Sequence, residues 1–283
     1  MIKVLSSSFG LGVQDLGRTG YAGFGVPLSG TMDQYSSKLA NRLLNNHKDD
    51  AVLEITNGGC KLRFDTNTVV CLTGADYSAK LDNTPLKLHK VVPVHAGSVL
   101  SFSKRQFGFR TYLAVKNGFK STPVLGSRSM YNNITPQDVL KKGDQLKVEP
   151  HIHDLMRPAA KVKIELEHFT SKDMHCYKGP EFELLDKMQQ EQLLGMPFTI
   201  SMNNNRMGYQ LEDRVENEIP SMLTSSALPG TVQLTPSGKL IILMRDCQVT
   251  GGYPRVLQLS KNAINRLAQK STGDTIYFKI TPS

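Results

Sequence analysis

The chain has 283 residues, a formal net charge of +9, no tryptophan, and 39% hydrophobic against 21% charged residues. This composition excludes a disordered chain and leaves enough apolar residues for one large or two modest domains. The longest apolar run, residues 240–244, is too short to cross a membrane, and no signal-peptide pattern opens the sequence, so we expect a cytoplasmic protein. Lys and Arg are dispersed rather than gathered in a stripe, which argues against nucleic acid and suits small anionic substrates.

Short alternating or apolar runs, each bounded by Gly, Pro, Asn or Asp, predict β-strands along most of the chain. In chain order the predicted strands are residues 61–64, 69–72, 99–102, 111–115, 231–234, 240–244 and 275–278. Residues 32–44, 182–194 and 261–269 have the apolar spacing of helices. Many short strands with few helices indicate an all-β sandwich or barrel.

The two halves of the sequence resemble each other. Arg-Thr-Gly-Tyr at residues 18–21 matches Arg-Met-Gly-Tyr at residues 206–209, and a strand–turn–strand pattern follows each motif and ends near Asp76 or Asp246. This repetition indicates two related β units in tandem, joined by a polar segment that contains prolines. The predicted domains are residues 1–150 and 163–283.

A glycine-rich segment, residues 13–33, contains the first candidate site. Its glycines would let the backbone approach a ligand closely, with Asp15 and Arg18 as polar groups among them. Asp33 could cap the helix that follows, so that the N–H groups of that helix face a ligand. A structural loop capped by Ser29, Thr31 or Asp33 would have the same composition, and residue types alone do not separate the two interpretations.

Two shorter motifs are ambiguous in the same way. Asp76 follows an apolar strand and would lie at a strand end, where barrels commonly build sites, although an Asp in that position also starts turns. Arg128 lies between Ser127 and Ser129 and could hold a carboxylate or a phosphate through its guanidinium group. A surface loop would look the same.

Residues 244–255 form the most distinctive segment. We interpret it as a strand leaving the core, in which alternating polar residues share one face and present a carboxylate, an amide and a hydroxyl group. Two glycines would permit close approach, and a tyrosine adds a ring with a polar tip. Such a set suits a lactam, a urea or the ureido ring of biotin, while the alternative is a solvated strand with a Gly-Gly turn. The residues concerned are Asp246, Gln248, Thr250, Gly251, Gly252 and Tyr253.

Other familiar motifs are missing from the sequence. The four cysteines have no C-x-x-C spacing and are interpreted as reduced, mostly buried thiols. The histidines show no zinc spacing, so no metal is expected. The sequence contains no Walker-type or G-x-G-x-x-G phosphate motif and no Met-Lys-Met for biotin attachment.

Several segments follow one another in a recognisable order: VQDLGRTGYAGFGVPLSGTMD at 13–33, LTGAD at 72–76, VLGSRS at 124–129, RMGYQLE at 206–212 and RDCQVTGGYPRV at 245–256. In this order they resemble the KipA-like family. That family includes the allophanate-hydrolase subunit 2-like proteins, the C subunit of bacterial 5-oxoprolinase, and one half of the carboxyltransferase domain of urea carboxylase.

The resemblance implies a mainly β fold of two tandem cyclophilin-like β-barrels with a few short helices, in agreement with the internal repeat. It also implies a KipI-like B subunit as partner, with an active site formed between the two proteins. In 5-oxoprolinase the ATP-dependent opening of a lactam, 5-oxoproline, to glutamate also requires an A-type subunit, so ATP with Mg²⁺ would bind at the shared site. The alternatives are a carboxyltransferase that uses carboxybiotin with a urea-like or amide acceptor, and a regulatory protein that binds a KipI-like inhibitor.

Carried over by position, the resemblance gives Asp246, Asp76 and Arg18 as candidate catalytic residues. Asp246 could hold the ring N–H of the lactam or take its proton, and Arg18 or Arg206 could clamp the substrate carboxylate. The expected substrate-binding residues are Asp15, Ser29, Asp33, Arg128, Arg206, Gln248, Thr250, Gly251, Gly252 and Tyr253.

Overall fold

The computed structural model describes residues 1–151 and 165–281. The expected mainly β fold is confirmed, with 35% of residues in strands and 13% in helices. The helices are α1 Gln34–Leu43, α2 Glu167–Thr170, α3 Lys187–Gly195 and α4 Lys261–Leu267, with 3-10 turns at Ala22–Phe24 and Phe182–Leu184. Within the described ranges, no helix is long and apolar enough to cross a membrane.

The chain divides into two compact units. The first contains Met1–Arg18 and Asp33–Phe169, and the second contains Thr19–Met32 and Thr170–Ser283. The second unit therefore includes residues 19–32, a short segment from the N-terminal part of the chain. The predicted domains had placed this segment in the first unit. The join between the domains was predicted at residues 149–163, and all of it beyond residue 151 lies outside the described residues.

The strands of the first unit form two sheets that pack face to face. One sheet has the order β11-β1-β4-β9-β6-β7 and the other the order β2-β3-β10-β5-β8. Their inward side chains form one apolar core, while α1 covers the opposite face of the five-stranded sheet through Ala40 and Leu44. The strands are β1 Ile2–Ser6, β2 Leu11–Gln14, β3 Val52–Thr56, β4 Lys61–Phe64, β5 Thr68–Asp76, β6 Lys80–Leu81, β7 Thr84–Pro85, β8 Val91–Val94, β9 Val99–Ser101, β10 Phe107–Val115 and β11 Gln145–Leu146.

Burial explains why β5 and β10 occupy the middle of the five-stranded sheet. Both are long runs rich in β-branched and aromatic residues, and almost every residue of β5 is buried. Strands covered on both faces have this continuous apolar pattern rather than strict alternation. In the described part of this unit the strands form these two sheets, and the closed ring of paired strands is found in the second unit.

The second unit contains a closed barrel with the strand order β12-β19-β16-β17-β14-β13-β20. Parallel pairing of β20 with β12, in which Tyr277 lies opposite Asp173, closes the ring. The barrel core includes Met32, which is fully buried and comes from the N-terminal segment of this unit. The strands are β12 Asp173–Lys178, β13 Phe198–Asn204, β14 Gly208–Arg214, β15 Ser225–Ser226, β16 Thr231–Leu234, β17 Lys239–Leu243, β18 Thr250–Gly251, β19 Arg255–Leu259 and β20 Thr275–Ile280.

All seven predicted strands lie on or overlap observed strands, and the helices predicted at 32–44 and 261–269 correspond to α1 and α4. The helix predicted at 182–194 is interrupted. Leu185 is extended, and Asp186 starts a new helix by accepting a hydrogen bond from the N–H of Gln189 in a capping box. A strong N-cap inside an apolar pattern therefore divides one predicted helix into a 3-10 turn and α3.

The four cysteines are free and buried, as the sequence analysis expected. Burial raises the pKa of each thiol to about 12. At neutral pH they are therefore unreactive thiols.

Candidate functional site

In the first unit, the carboxylate of Asp15 joins two motifs that lie far apart in the sequence. Its Oδ1 accepts hydrogen bonds from the hydroxyls of Ser127 and Ser129, both at 2.6 Å, and from the N–H of Gly17 at 2.8 Å. Its Oδ2 accepts from the N–H of Arg128 at 2.6 Å. We call these five residues the Asp15 cluster. The structure thus brings together the glycine-rich segment and the Ser-Arg-Ser motif, both singled out from sequence.

A tight turn presents the Ser-Arg-Ser motif to Asp15. Leu125 and Gly126 have left-handed backbone angles, and Val124 and Ser127 close the turn as an isolated β-bridge. The N–H of Asp15 donates in return to the hydroxyl of Ser129 at 3.0 Å. Left-handed geometry suits glycine, and a non-glycine residue such as Leu125 takes it only when the surrounding contacts hold it there. The backbone at position 128 is therefore fixed from both sides.

The two arginines near this cluster have different environments. Arg18 is buried and donates a hydrogen bond to the backbone carbonyl of Ser129. Arg128 is half-buried, and its guanidinium has no hydrogen-bond or ion-pair partner among the described residues. Arg18 thus contributes to the internal structure of the first unit, whereas the charge of Arg128 remains available to a ligand.

Asp33 is completely buried and caps α1. Its Oδ1 accepts from the N–H groups of Tyr35 and Ser36, and its Oδ2 lies 2.6 Å from the hydroxyl of Ser36 and 2.9 Å from Nε2 of His168. The ring of Tyr35 packs against that of His168 at 4.9 Å between centroids. The sequence indicated the cap, but nothing in it linked Asp33 to a histidine so distant along the chain.

Asp76 is the last residue of β5. Its Oδ1 accepts a hydrogen bond from the N–H of Ser78 at 2.7 Å, which is the local turn that the sequence left open as an alternative. The residue is half-buried. The position that matches it in the second half of the sequence repeat, Asp246, has a different arrangement.

In the second unit, Arg206 and Asp246 form a two-pronged ion pair, here called the Arg206–Asp246 pair. Nε of Arg206 lies 2.7 Å from Oδ2 of Asp246, and Nη2 lies 2.9 Å from Oδ1. The same Nη2 donates to the backbone carbonyl of Gly30 at 2.6 Å. The N–H of Asp246 also donates to the carbonyl of Arg206. The pair therefore fastens the glycine-rich segment to the barrel of this unit.

Ser29 belongs to the same part of the second unit. Its N–H donates to the carbonyl of Arg245 at 2.9 Å, and its backbone has a positive φ of 57°. The side chain is fully buried, and its hydroxyl has no hydrogen-bond partner among the described residues. A buried polar group without a partner is costly, which marks this position for a functional test.

The strand predicted through Asp246, Gln248 and Thr250 is wrong. Residues 245–246 form a turn, and a strand resumes only at Thr250–Gly251, paired with Ser225–Ser226. Asp246 is buried while Gln248 and Thr250 are exposed, so the three side chains do not share a face. The turn forms because the backbone N–H groups here bond to non-strand partners, as Cys247 does with the carbonyl of Met244.

The glycines of this segment have distinct surroundings. A Cβ at Gly251 would lie 2.5 Å from the side-chain nitrogen of Gln233, whereas at Gly252 the nearest atom would be the carbonyl oxygen of Met222 at 3.3 Å. Gln233 is buried, and its amide nitrogen has no hydrogen-bond partner within the described part of the chain. Tyr253 is exposed. Sequence reasoning missed Gln233 because it appears as an ordinary strand residue of β16.

A second ion pair in this unit was also missed. Glu181 and Arg255 are joined by Nε to Oε2 at 3.0 Å and by Nη2 to Oε1 at 2.9 Å. Hydrogen bonds from the Arg255 side chain hold the pKa of Glu181 below its usual value, and Glu181 in turn raises the pKa of Arg255. Arg255 ends the most distinctive sequence motif, so that motif contained a signal for this pair, but Glu181 has no motif of its own.

Among the described residues, no group of three or more His, Cys, Asp and Glu side chains could hold a metal ion. Several of the candidate residues form two clusters, one in each unit, while Asp33 and Asp76 have other partners. The first cluster offers a cation beside a carboxylate held by neutral donors, and the second offers an ion pair that fastens a glycine-rich segment.

Comparison with known proteins places these features in a family context. The family model for the carboxyltransferase domain, subdomain A and B, matches residues 24–280. The chain is 33% identical to the C subunit of 5-oxoprolinase from Escherichia coli (strain K12), over 98% of this chain and 90% of that protein.

Solved structures give the same picture. The crystal structure of TTHA0988 matches with a TM-score of 0.87 and 27% identity, over 98% of this chain and 55% of that one. The Kluyveromyces lactis urea amidolyase matches with a TM-score of 0.84 and 28% identity, over 98% of this chain and 18% of that one. This chain therefore spans only part of the length of both proteins.

Proposed function

The chain belongs to the family of the carboxyltransferase domain, subdomains A and B, and from this membership we propose that it is the C subunit of a 5-oxoprolinase. The observation that carries the proposal is the match to the Escherichia coli C subunit, which extends over 98% of this chain and 90% of that protein. A match that extends over nearly the whole of both sequences supports a subunit of the same kind.

In this proposal the chain acts in the cytoplasm within a hetero-oligomer. A KipI-like B subunit and an A-type subunit are its partners, and the complex opens 5-oxoproline to L-glutamate with hydrolysis of ATP. The lactam is a poor electrophile, so ATP would activate its carbonyl oxygen at a site shared between subunits. Among the described residues no group of three or more His, Cys, Asp and Glu side chains could hold a metal ion, and we assign no metal ligand to this chain.

The Arg206–Asp246 pair is the feature of the second unit that we assign to this function. Both carboxylate oxygens of Asp246 accept from Arg206, so the first task of Asp246 is to orient that guanidinium rather than to take a proton. Through Arg206 the pair fixes the carbonyl of Gly30 and, with it, the backbone beside the buried hydroxyl of Ser29. We propose that this fixed backbone, followed by the exposed Gln248 and Thr250, faces the lactam in the assembled enzyme.

The test is release of glutamate from 5-oxoproline with ATP, measured for this chain mixed with its B-type and A-type partners and with each component left out in turn. Activity that requires all three components is the expected result. No activity from a complex shown by gel filtration to be fully assembled would contradict the proposal.

Two variants sharpen this test. Asp246→Asn keeps the size of the side chain but removes the charge that orients Arg206, and we expect turnover to be lost while the complex still assembles. Lys142→Gln changes an exposed cation outside both clusters and should leave turnover unchanged. Near-normal turnover of Asp246→Asn would remove the pair from the mechanism.

The family model and the similarity to a urea amidolyase favour one alternative, carboxyl transfer from carboxybiotin supplied by another protein. In that reaction the exposed groups of the second unit would bind the ureido ring or an amide acceptor. The same assembled complex, given a carboxylated biotin carrier and urea, tests it directly. Loss of carboxyl groups from the carrier only when this chain and urea are both present would favour the alternative.

A further inference from the structure

The first unit contains a cavity of about 350 Å³, a size typical of small-molecule sites. It lies beside the Asp15 cluster and is lined by residues from β2, from residues 119–122 and 128–137, and from the segment around β11. The site proposed above for the 5-oxoprolinase reaction is in the second unit and does not use this cavity, although the resemblance implied that Arg128 binds substrate.

The lining separates into an apolar floor and a cationic rim. The floor consists of side chains that belong to the core of the first unit, among them Phe119, Met130 and Leu146. The rim has Lys120, Arg128 and Lys147. None of the described residues that line the cavity is acidic. An apolar floor under a rim whose charged residues are all cations suits an anion with an apolar body.

Arg128 is the cation best prepared to receive an anionic group. Its backbone N–H is held by Asp15 at 2.6 Å, so the origin of its side chain is fixed before any ligand arrives. Its guanidinium has no partner in the part of the chain that the structure describes, whereas the amine of Lys120 lies 3.3 Å from a carboxylate oxygen of Glu149. A guanidinium in this state can give a carboxylate, sulfonate or phosphate two parallel hydrogen bonds.

A second part of the lining is also fixed. The hydroxyl of Thr135 accepts from the N–H of Tyr131 at 2.8 Å and donates to the carbonyl of Gln137 at 2.6 Å. These bonds hold the turn that carries Thr135 and Gln137 into the lining. A cavity whose lining is fixed in two places loses little conformational freedom on binding.

We propose that this cavity binds a small organic monoanion, with its apolar part against Phe119, Met130 and Leu146 and its charged group on the guanidinium of Arg128. The proposal concerns the isolated chain and does not depend on the 5-oxoprolinase reaction.

The test compares two probes of nearly the same shape. The dye 8-anilinonaphthalene-1-sulfonate has an apolar body with one negative charge, and N-phenyl-1-naphthylamine has that body without the charge. Titration of the purified chain, followed by dye fluorescence, should show one saturable site for the anion. Arg128→Gln should raise the Kd of the anion at least tenfold and that of the neutral probe less than twofold.

Lys142→Gln is the matched control, since it removes the same charge from an exposed position that is absent from the lining. It should change neither Kd by more than twofold. If Arg128→Gln does not give the circular dichroism spectrum of the unaltered chain, Lys147→Gln, which lies within the rim, serves as a second variant. Its effect should be smaller than that of Arg128→Gln and in the same direction.

Methyl NMR locates the bound probe. With ¹³C-methyl methionine in place of all 11 methionines, the Met130 signal, assigned through Met130→Leu, should shift on addition of the anion. The signal of Met174, buried in the barrel of the second unit, should stay in place. A shift confined to other methionines would overturn the proposal, as would an unchanged Kd for Arg128→Gln.

Competition separates the sources of the negative charge. Displacement of the dye by octanoate or by octyl phosphate tells a carboxylate ligand from a phosphate ligand, and either result supports the site. Displacement by the neutral octanol at equal concentrations would show that the charge contributes nothing, and the proposal would then be wrong.

Discussion

The Asp15 cluster and the Arg206–Asp246 pair hold a carboxylate in opposite ways. Asp15 accepts from four neutral donors, two hydroxyls and two backbone N–H groups. Asp246 accepts both of its side-chain bonds from one cation. Sequence repetition pairs Arg18 with Arg206, yet Arg18 donates to the carbonyl of Ser129 while Arg206 binds a carboxylate.

This difference in hydrogen-bond donors determines whether an arginine near the carboxylate keeps its charge available for another partner. Dipoles stabilise Asp15 without consuming a cation, so the guanidinium of Arg128 is left for another partner. In the second unit the charges of Arg206 and Asp246 cancel each other, and the ion pair fixes the backbone around Gly30. The first arrangement prepares a binding group, and the second stabilises a local fold.

The largest expected effect comes from Asp15→Ala. It removes the common acceptor of four donors, and we expect a loss of about 4 kcal/mol in the free energy of unfolding, since each donor left without an acceptor costs about 1 kcal/mol or more. Urea unfolding followed by circular dichroism, with hydrogen exchange to assign the change to the first unit, measures it. Asp15→Asn keeps one acceptor oxygen and should lose about half as much. A loss below about 0.5 kcal/mol for Asp15→Ala would show that water replaces the carboxylate.

Asp246→Ala is expected to cost slightly less, about 3 kcal/mol, because it leaves the charge of Arg206 without its partner in a mostly buried position. The double variant Arg206→Met with Asp246→Leu should recover most of this loss, since it removes both charges together. The measurement is the same unfolding experiment, with hydrogen exchange read in the second unit. If the loss of unfolding free energy in the double variant equalled the sum of the losses for Arg206→Met and Asp246→Leu alone, the pair would not be acting as a unit.

The Glu181–Arg255 pair extends the comparison to pH. Because Arg255 lowers the pKa of Glu181 below its ordinary 4.5, the pair stabilises the fold above that ordinary pKa, and this contribution disappears as the pH falls through the lowered value. Glu181→Gln should cost about 2 kcal/mol at neutral pH, as expected for hydrogen bonds to a charged group. The difference between variant and unaltered chain should shrink as unfolding is measured at progressively lower pH. A difference independent of pH would contradict the ion-pair interpretation.

The smallest expected effect on stability is that of Arg128→Gln. Its backbone N–H, which Asp15 holds, is unaffected by the substitution, so the free energy of unfolding should change by no more than about 0.5 kcal/mol. Arg128→Ala, which has no polar side chain at this position, should change the free energy of unfolding by a similarly small amount. A loss comparable to that of Asp15→Ala would mean that the guanidinium supports the fold, and the contrast between the two clusters would fail.

Much of the fold could be read from the sequence because strand patterns are local. The buried run of β5 and the apolar spacing of α1 each reflect their own residues. The contact between Asp15 and Ser127 could not be read in this way, since only the assembled first unit brings residues 112 positions apart together. The turn at Asp246 was misjudged for a related reason. Alternating polarity predicts a strand only where a neighbouring strand accepts its hydrogen bonds.

The contacts of His168 and Gln233 could not be predicted from the sequence either. One is the partner of a helix cap, and the other is a strand residue whose amide nitrogen lies close to Gly251. Neither position has a local signal, because its chemistry comes from a neighbour supplied by tertiary structure. The Ser-Arg-Ser motif, by contrast, was visible as a motif, and only its acceptor was unknown.

The placement of Met32 in the barrel core has a consequence for synthesis on the ribosome. Residues 19–32 are made long before β12 to β20, so the side chain of Met32 has no barrel core to enter until the rest of the second unit has been synthesised. A gene cut between the two predicted domains would give one product with an orphan segment and another with a gap in its core. Any attempt to produce the barrel alone should therefore graft residues 19–32 onto it.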